Sequence, residues 1–213
     1  MNYAVNEIYY TLQGEGAHTG RPAVFCRFTG CNLWSGRESD RGSAICRFCD
    51  TNFLGVDGPN GGNYATAEDL AETIDGCWPG HANGRSKKLV VCTGGEPLLQ
   101  FDEDIVSALH QRGFEIAVET NGTRLPPSGI DWICVSPKAE AECVLRTGNE
   151  LKLVYPQPGG DPQNYASFDF DRFYLQPMDG PELERNTALA VEYCMQYPQW
   201  ELSVQTHKLI GIR

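Results

Sequence analysis

The chain is short of positive charge. Its 213 residues carry 17 Lys and Arg against 28 Asp and Glu, a net charge of −11. Sequence-independent binding to a nucleic-acid backbone needs clustered cations, so no nucleic-acid partner is expected and a free small molecule is the better substrate class. No stretch approaches the roughly 18 consecutive apolar residues of a membrane span. The opening MNYAVNEIYY has neither the basic nor the apolar region of a signal peptide, which predicts a cytoplasmic protein without membrane association. Internal repeats, long polar tracts and Ser/Gly linkers are absent too. Residues 1–213 therefore read as one domain, long enough to bury a sizeable core. Histidine is scarce, with only His18, His81, His110 and His207.

Cysteine, by contrast, is plentiful. Nine in a cytoplasmic chain, an odd number, predict thiols or metal ligands rather than disulfides. Cys26, Cys92 and Cys134 lie in the apolar runs AVFCRF, KKLVVC and DWICV and read as small core residues. Cys77, Cys143 and Cys194 are scattered. Cys31, Cys46 and Cys49 differ, because they sit in the polar, Gly- and Arg-rich contexts TGCNLWSG and ICRFCDTN. Cys46-x-x-Cys49 is a close chelating pair, and Cys31 supplies a third thiolate. Three thiolates on a four-iron cube leave one iron free for the amino and carboxylate groups of S-adenosylmethionine (SAM). A structural zinc site of three Cys and one His is the alternative, although no His has ligand spacing to the pair. The cysteines alone leave both readings open.

Strand candidates are Glu7–Thr11, Ala23–Thr29, Lys88–Thr93, Glu115–Glu119, Trp132–Ser136, Glu150–Tyr155, Arg172–Gln176 and Glu201–Gln205. Helix candidates are Thr66–Ile74, which opens on a Thr66-x-x-Asp69 capping pattern, Asp102–Arg112 and Pro181–Tyr197. Strands such as LVVC and WICV are apolar on both faces, as in a parallel sheet covered by helices. The alternation predicts an α/β fold. A closed eight-unit barrel typically needs about 250 residues. The expectation is therefore an incomplete, splayed TIM-like barrel of about six βα units.

CNLWSG, TGGEP, ETNG, SPK and QPMDG each follow a predicted strand. Parallel α/β folds build their sites at the carboxyl ends of strands, so the five motifs should meet at one mouth. In Thr93-Gly94-Gly95-Glu96-Pro97 the two glycines admit a ligand close to the backbone, and Glu96 offers an anion to an amino-acid ammonium. Beside a candidate cluster loop, this motif favours the SAM reading over zinc.

The strings EIYYTLQGEG, CRFTGCNLW, CRFCDT, CTGGEPLLQ, ETNG, VSPK, LQPMDG and QTHK together resemble the 7-carboxy-7-deazaguanine synthase family of radical SAM enzymes, over nearly the whole chain. The common CxxxCxxC spacing is lengthened here by an insertion at about 32–45. The resemblance implies a [4Fe–4S] cluster on Cys31, Cys46 and Cys49, with SAM as a regenerated cofactor. It implies SAM contacts from Phe48, Gly94, Gly95, Glu96, Ser136, Pro137, Lys138 and Gln176. It implies Mg²⁺ on Thr51, chemically sufficient alongside waters and ligand oxygens. The substrate would be 6-carboxy-5,6,7,8-tetrahydropterin, held by Leu12, Gln13, Gly14, Glu15, Arg27, Thr93, His207 and the terminal carboxylate at Arg213. A deoxyadenosyl radical would take its C6 hydrogen, and the ring would contract with loss of ammonia to 7-carboxy-7-deazaguanine, a carbon–nitrogen lyase reaction of queuosine biosynthesis. A flavodoxin- or ferredoxin-like reductant and a homodimer are also implied. A non-catalytic zinc protein and a glycyl-radical activating enzyme remain alternatives, but the second leaves QGEG and QTHK without a role.

Overall fold

The computed structural model describes residues 2–80 and 87–213, and His81 lies outside them. Among the described residues, nine strands form one sheet: β1 (Tyr3–Leu12), β2 (Pro22–Phe28), β3 (Gly62–Tyr64), β4 (Lys88–Gly94), β5 (Phe114–Thr120), β6 (Trp132–Val135), β7 (Thr147–Tyr155), β8 (Asp169–Pro177) and β9 (Trp200–Leu202). The spatial order is β3-β1-β2-β4-β5-β6-β7-β8-β9. β2 and β4 through β9 run parallel, while β1 pairs antiparallel with both β2 and β3. The sheet does not close, because β3 and β9 remain its edges. This is the splayed, abbreviated barrel expected from the sequence, with an antiparallel edge added.

Four α-helices accompany it: α1 (Ala67–Cys77), α2 (Glu103–Gln111), α3 (Leu183–Gln196) and α4 (Thr206–Ile210). α1 starts where the capping pattern placed it, with Thr66 Oγ1 accepting from the Asp69 N–H at 3.1 Å. Asp102 caps α2 in the same way, accepting from the Ile105 N–H. The six parallel crossovers match the expected number of units, but only three carry an α-helix. The connections after β5 and β7 hold the Pro- and Gly-rich stretches NGTRLPPSG and PQPGGDP, which disfavour helix, and the one after β6 is short.

Side-chain alternation along the strands separates two environments. Outward residues Ile8, Val24, Cys26, Val90, Cys92, Ile116 and Val118 pack beneath α1 and α2 with Leu70, Ile74, Ile105 and Leu109. Cys26, Cys92 and Cys134 are buried, as their apolar runs suggested. On the inward face, Ala23, Leu89, Val91 and Ala117 plug the amino-terminal end of the barrel. Higher up the same face, polar side chains replace them, and the interior opens into a cavity.

Candidate active site at the carboxyl ends of the strands

The cavity measures about 430 Å³ and is lined from β1, β2, β4, β5, β7 and β8, the loop after β6, the segment between β2 and β3, and α4. Cys31, Cys46 and Cys49 all face it. The segment between the first two is folded back on itself. Ile45 and Cys46 donate their N–H groups to the Leu33 carbonyl at 3.1 and 3.3 Å, which returns the chain to the cavity wall. Arg41 locks the return: its guanidinium stacks 4.0 Å from the Trp34 ring and donates to the carbonyls of Arg47 and Cys49. Trp34, Ala44 and Phe53 form an apolar wall against Cys31 and Cys49.

The hydrogen bond from Cys46 pushes the Cys49 thiol down to about 6, while burial raises that of Cys31. Among the described residues, no three His, Cys, Asp or Glu side chains converge on a single metal ion. His18 sits against Trp132 and His110 pairs with Asp131, so neither completes a zinc site. Three soft sulfur donors around an open cavity, with no fourth protein ligand among the described residues, fit an iron–sulfur cluster that keeps one iron free.

The end of β4 is pressed against the start of this segment. A Cβ on Gly95 would overlap the Gly30 carbonyl, and Gly94, at φ +137°, lies as close to the Phe28 backbone. The backbone of Thr93, Gly94 and Gly95 therefore lies exposed to the cavity. Glu96 does not line it. Its side chain is fully buried and accepts from the Leu98 N–H, the Thr120 hydroxyl and the Asn121 N–H at 2.7–2.9 Å. Burial raises its carboxyl pKa, and these donors oppose the rise. Glu96 thus ties the β4 end to the ETNG turn rather than presenting a free anion. Pro137 is also outside the lining, although Ser136, Lys138, Gln176 and Phe48 belong to it. Lys138 Nζ donates to the Ser136 carbonyl and hydroxyl at 2.6 and 2.9 Å.

Leu12, Gln13, Gly14, Glu15, Arg27, Thr51, His207 and Arg213 line the same cavity. Gly14 packs beneath the His207 ring, and its carbonyl accepts from the Thr206 N–H at 2.9 Å. Arg27 is engaged within the protein, donating to Glu7 at 3.0 Å and to the Tyr9 hydroxyl at 2.9 Å. Arg213 also pairs with Glu7, stacks over Tyr9, and accepts from the Thr11 hydroxyl at its main-chain oxygen.

Several lining residues escaped the sequence reading. Glu7, Tyr9, Glu119 and Lys152 project inward from strand interiors. The signal for Lys152 was a cation flanked by Leu151 and Leu153 in the strand ELKLVY, where a buried charge is untenable without partners. Asp50 and Lys208 also line the cavity and meet at 2.6 Å, and Lys208 reaches Asp179 at the same distance.

Residues 39–139 match the Radical SAM superfamily model. The chain is 62% identical to the 7-carboxy-7-deazaguanine synthase of Caulobacter vibrioides, with both chains covered in full. It is equally similar to that of Bradyrhizobium diazoefficiens, and 49% identical to that of Nitratidesulfovibrio vulgaris, again over both full lengths. The crystal structure of QueE from Escherichia coli superposes with a TM-score of 0.70 at 28% identity, covering 97% of this chain and 95% of that one. An open parallel sheet with three thiols and a Gly-Gly-Glu turn at one mouth, and relatives of this similarity over their whole length, lead to one conclusion: the chain belongs to the 7-carboxy-7-deazaguanine synthase family of radical SAM enzymes.

Proposed function

We propose that the chain converts 6-carboxy-5,6,7,8-tetrahydropterin to 7-carboxy-7-deazaguanine, with loss of ammonia, as a step of queuosine biosynthesis. The observation that carries this reading is that one cavity brings three thiols and the Gly94–Gly95 backbone together with the polar side chains of Gln13, Glu15, Arg27 and His207. Cys31, Cys46 and Cys49 would hold a [4Fe–4S] cluster. Phe48, Gly94, Gly95, Ser136, Lys138 and Gln176 would hold SAM, with Glu96 and Pro137 supporting their loops. When bound, the cluster and SAM together supply one-electron abstraction of a hydrogen atom from the substrate.

The protein's own residues orient and enclose. Glu15 and Gln13 offer acceptors and donors to the guanidine-like edge of a pterin, and Thr93 and His207 bracket the ring. Arg27 retains N–H groups beyond those used by Glu7 and Tyr9, which suit a substrate carboxylate. Thr51 would offer its hydroxyl to Mg²⁺, and the bound ion would supply positive charge to the substrate. Enclosure beneath α4 keeps water and stray thiols from the reacting carbon.

Residues 1–213 are read as one catalytic domain with an insertion at 32–45. A flavodoxin- or ferredoxin-like donor, a homodimeric state and a cytoplasmic setting complete the proposal. No helix among the described residues is long and apolar enough to cross a membrane. The test is incubation of reconstituted enzyme with SAM, reductant, Mg²⁺ and the carboxytetrahydropterin, followed by mass analysis. The deazaguanine carboxylate is the expected product, with SAM regenerated. Stoichiometric SAM consumption without ring contraction would sink the proposal.

A further inference from the structure

Lys152 has no task in the reading above, yet it is the most deeply buried charge at the cavity. It projects inward from β7 with 4% of its side chain exposed. Nζ lies 2.6 Å from Glu15 Oε2 and 3.5 Å from Glu119 Oε1. Two amides extend the network: Gln13 Nε2 donates to Glu119 Oε1 and Gln205 Nε2 to Glu15 Oε1, both at 2.9 Å. Both oxygens of Glu15 are thus occupied by donors of the protein. Glu119 has Oε1 engaged twice and Oε2 without a hydrogen-bond partner among the described residues. Glu15 and Glu119 come from the turn after β1 and the end of β5, and both line the cavity. The Lys152 ammonium is the one group that donates to both carboxylates among the described residues.

We propose that Lys152 is a positioning residue that holds the Glu15 and Glu119 carboxylates side by side, so that Glu119 Oε2 is aimed as an acceptor at the N–H edge of the pterin. The inference rests on the pterin reading of this cavity and deepens it. It makes selectivity for an amino-bearing ring depend on a cation that does not itself touch the substrate.

The electrostatics agree with the geometry. Burial opposes ionisation of Glu15, but the Lys152 charge and hydrogen bond outweigh it and hold the carboxyl below its usual range. Burial likewise works against the charge on Lys152, and Cys134, Glu119, Glu15 and Glu150 outweigh it. The titratable groups facing this trio are Glu150 on β7, Cys134 on β6, His207 on α4, and Asp50 through Gln205. Removal of the ammonium leaves clustered carboxylates, which take up a proton toward neutral pH because like charges at close range cannot all ionise.

The experiment is equilibrium binding of the carboxytetrahydropterin to cluster- and SAM-loaded protein between about pH 6 and pH 8.5, for wild type, Lys152→Met, Glu119→Gln and the double variant. Wild type should bind with a flat profile. Lys152→Met should bind about 100-fold more weakly at the alkaline end and recover partly at the acid end, where a shared proton restores one acceptor geometry. The double variant should lose that pH dependence and bind within about tenfold of Glu119→Gln alone, because only one of the two facing carboxylates remains. A merely structural lysine would give equally weak, pH-independent binding in Lys152→Met and the double variant, and that outcome overturns the proposal. If Lys152→Met does not fold, Glu119→Leu decides, because Leu carries no acceptor oxygen: binding as tight as wild type shows that Glu119 is not an acceptor. Absence of pterin binding by wild type would overturn the functional reading and this inference together. Tight wild-type binding with unaltered variants would overturn the inference alone.

Discussion

Gly14 lies directly under the imidazole of His207, so close that a Cβ at this position would overlap the ring. The two residues are 193 positions apart in the chain, yet the Thr206 N–H to Gly14 carbonyl bond fixes their approach. A single methyl group at Gly14 must therefore displace α4. Gly14→Ala should lower kcat/KM by about 100-fold, the scale expected when a reacting group is misplaced by an ångström. Iron content should not change. Wild-type kinetics in this variant would show that His207 takes no part in holding the substrate.

The cluster side should respond to different substitutions. Cys31→Ala, Cys46→Ala and Cys49→Ala should each abolish the cluster and all turnover, while Cys77→Ala and Cys194→Ala keep both. Arg41→Ala removes the donor to the Arg47 and Cys49 carbonyls and the stack on Trp34. It should give a cluster that assembles but is lost several-fold faster in air, followed by the decay of iron–thiolate absorption. Full iron content in Cys46→Ala would remove the basis of the ligand assignment.

Magnesium should act on substrate and not on cofactor. Thr51→Ala is expected to blunt the rate response to added Mg²⁺ while SAM affinity stays within about twofold, because Thr51 lines the cavity and would serve the ion, not the cofactor. Titration of initial rate against Mg²⁺, with and without chelator, checks this. Superimposable curves for variant and wild type would exclude Thr51 from the metal site.

One pH effect concerns stability alone. Arg21 donates twice to Glu115, at 2.8 and 2.7 Å, away from the cavity. That hydrogen-bonded guanidinium holds the Glu115 carboxyl below its ordinary value. A depressed folded-state pKa stabilises the protein above the unfolded carboxyl pKa, near 4.3, and the gain fades as pH falls through the lower folded value. The pair is partly exposed, so screening limits its worth to about 1 kcal/mol. Arg21→Ala should lose that amount in urea melts at pH 7 and almost nothing near pH 3, with unchanged turnover. An equal loss at both pH values would point to packing instead of charge.

The legible parts of this molecule were those with local signals. Thr66 and Asp102 announced the helix starts, the apolar runs around Cys92 and Cys134 announced central strands, and the motifs after them announced a shared mouth. β3 was missed because Gly62–Tyr64 is three residues long, polar, and held only by its pairing with β1. α4 was missed because QTHKLI followed a strand-like run and its five residues open without a side-chain N-cap. Glu96 read as a free anion because sequence cannot show that Thr120 and Asn121 come round to saturate it. Lys152 and Glu119 stayed hidden for the same reason: their meaning lies in partners more than 30 and 100 residues away.

α4 carries His207 into the cavity, yet it is a helix of five residues with Leu209 and Ile210 largely exposed, 74% and 57%. So small an element, with little apolar burial, should open far more often than the sheet it rests on. Each opening withdraws His207 and Gln205 while β4 to β8 and the Trp34–Phe53 wall remain folded. Amide exchange at Thr206 and Ile212 should accordingly run ahead of exchange in β4. The His207 side of the site is therefore held less firmly by the fold than the strand ends that carry the rest of it.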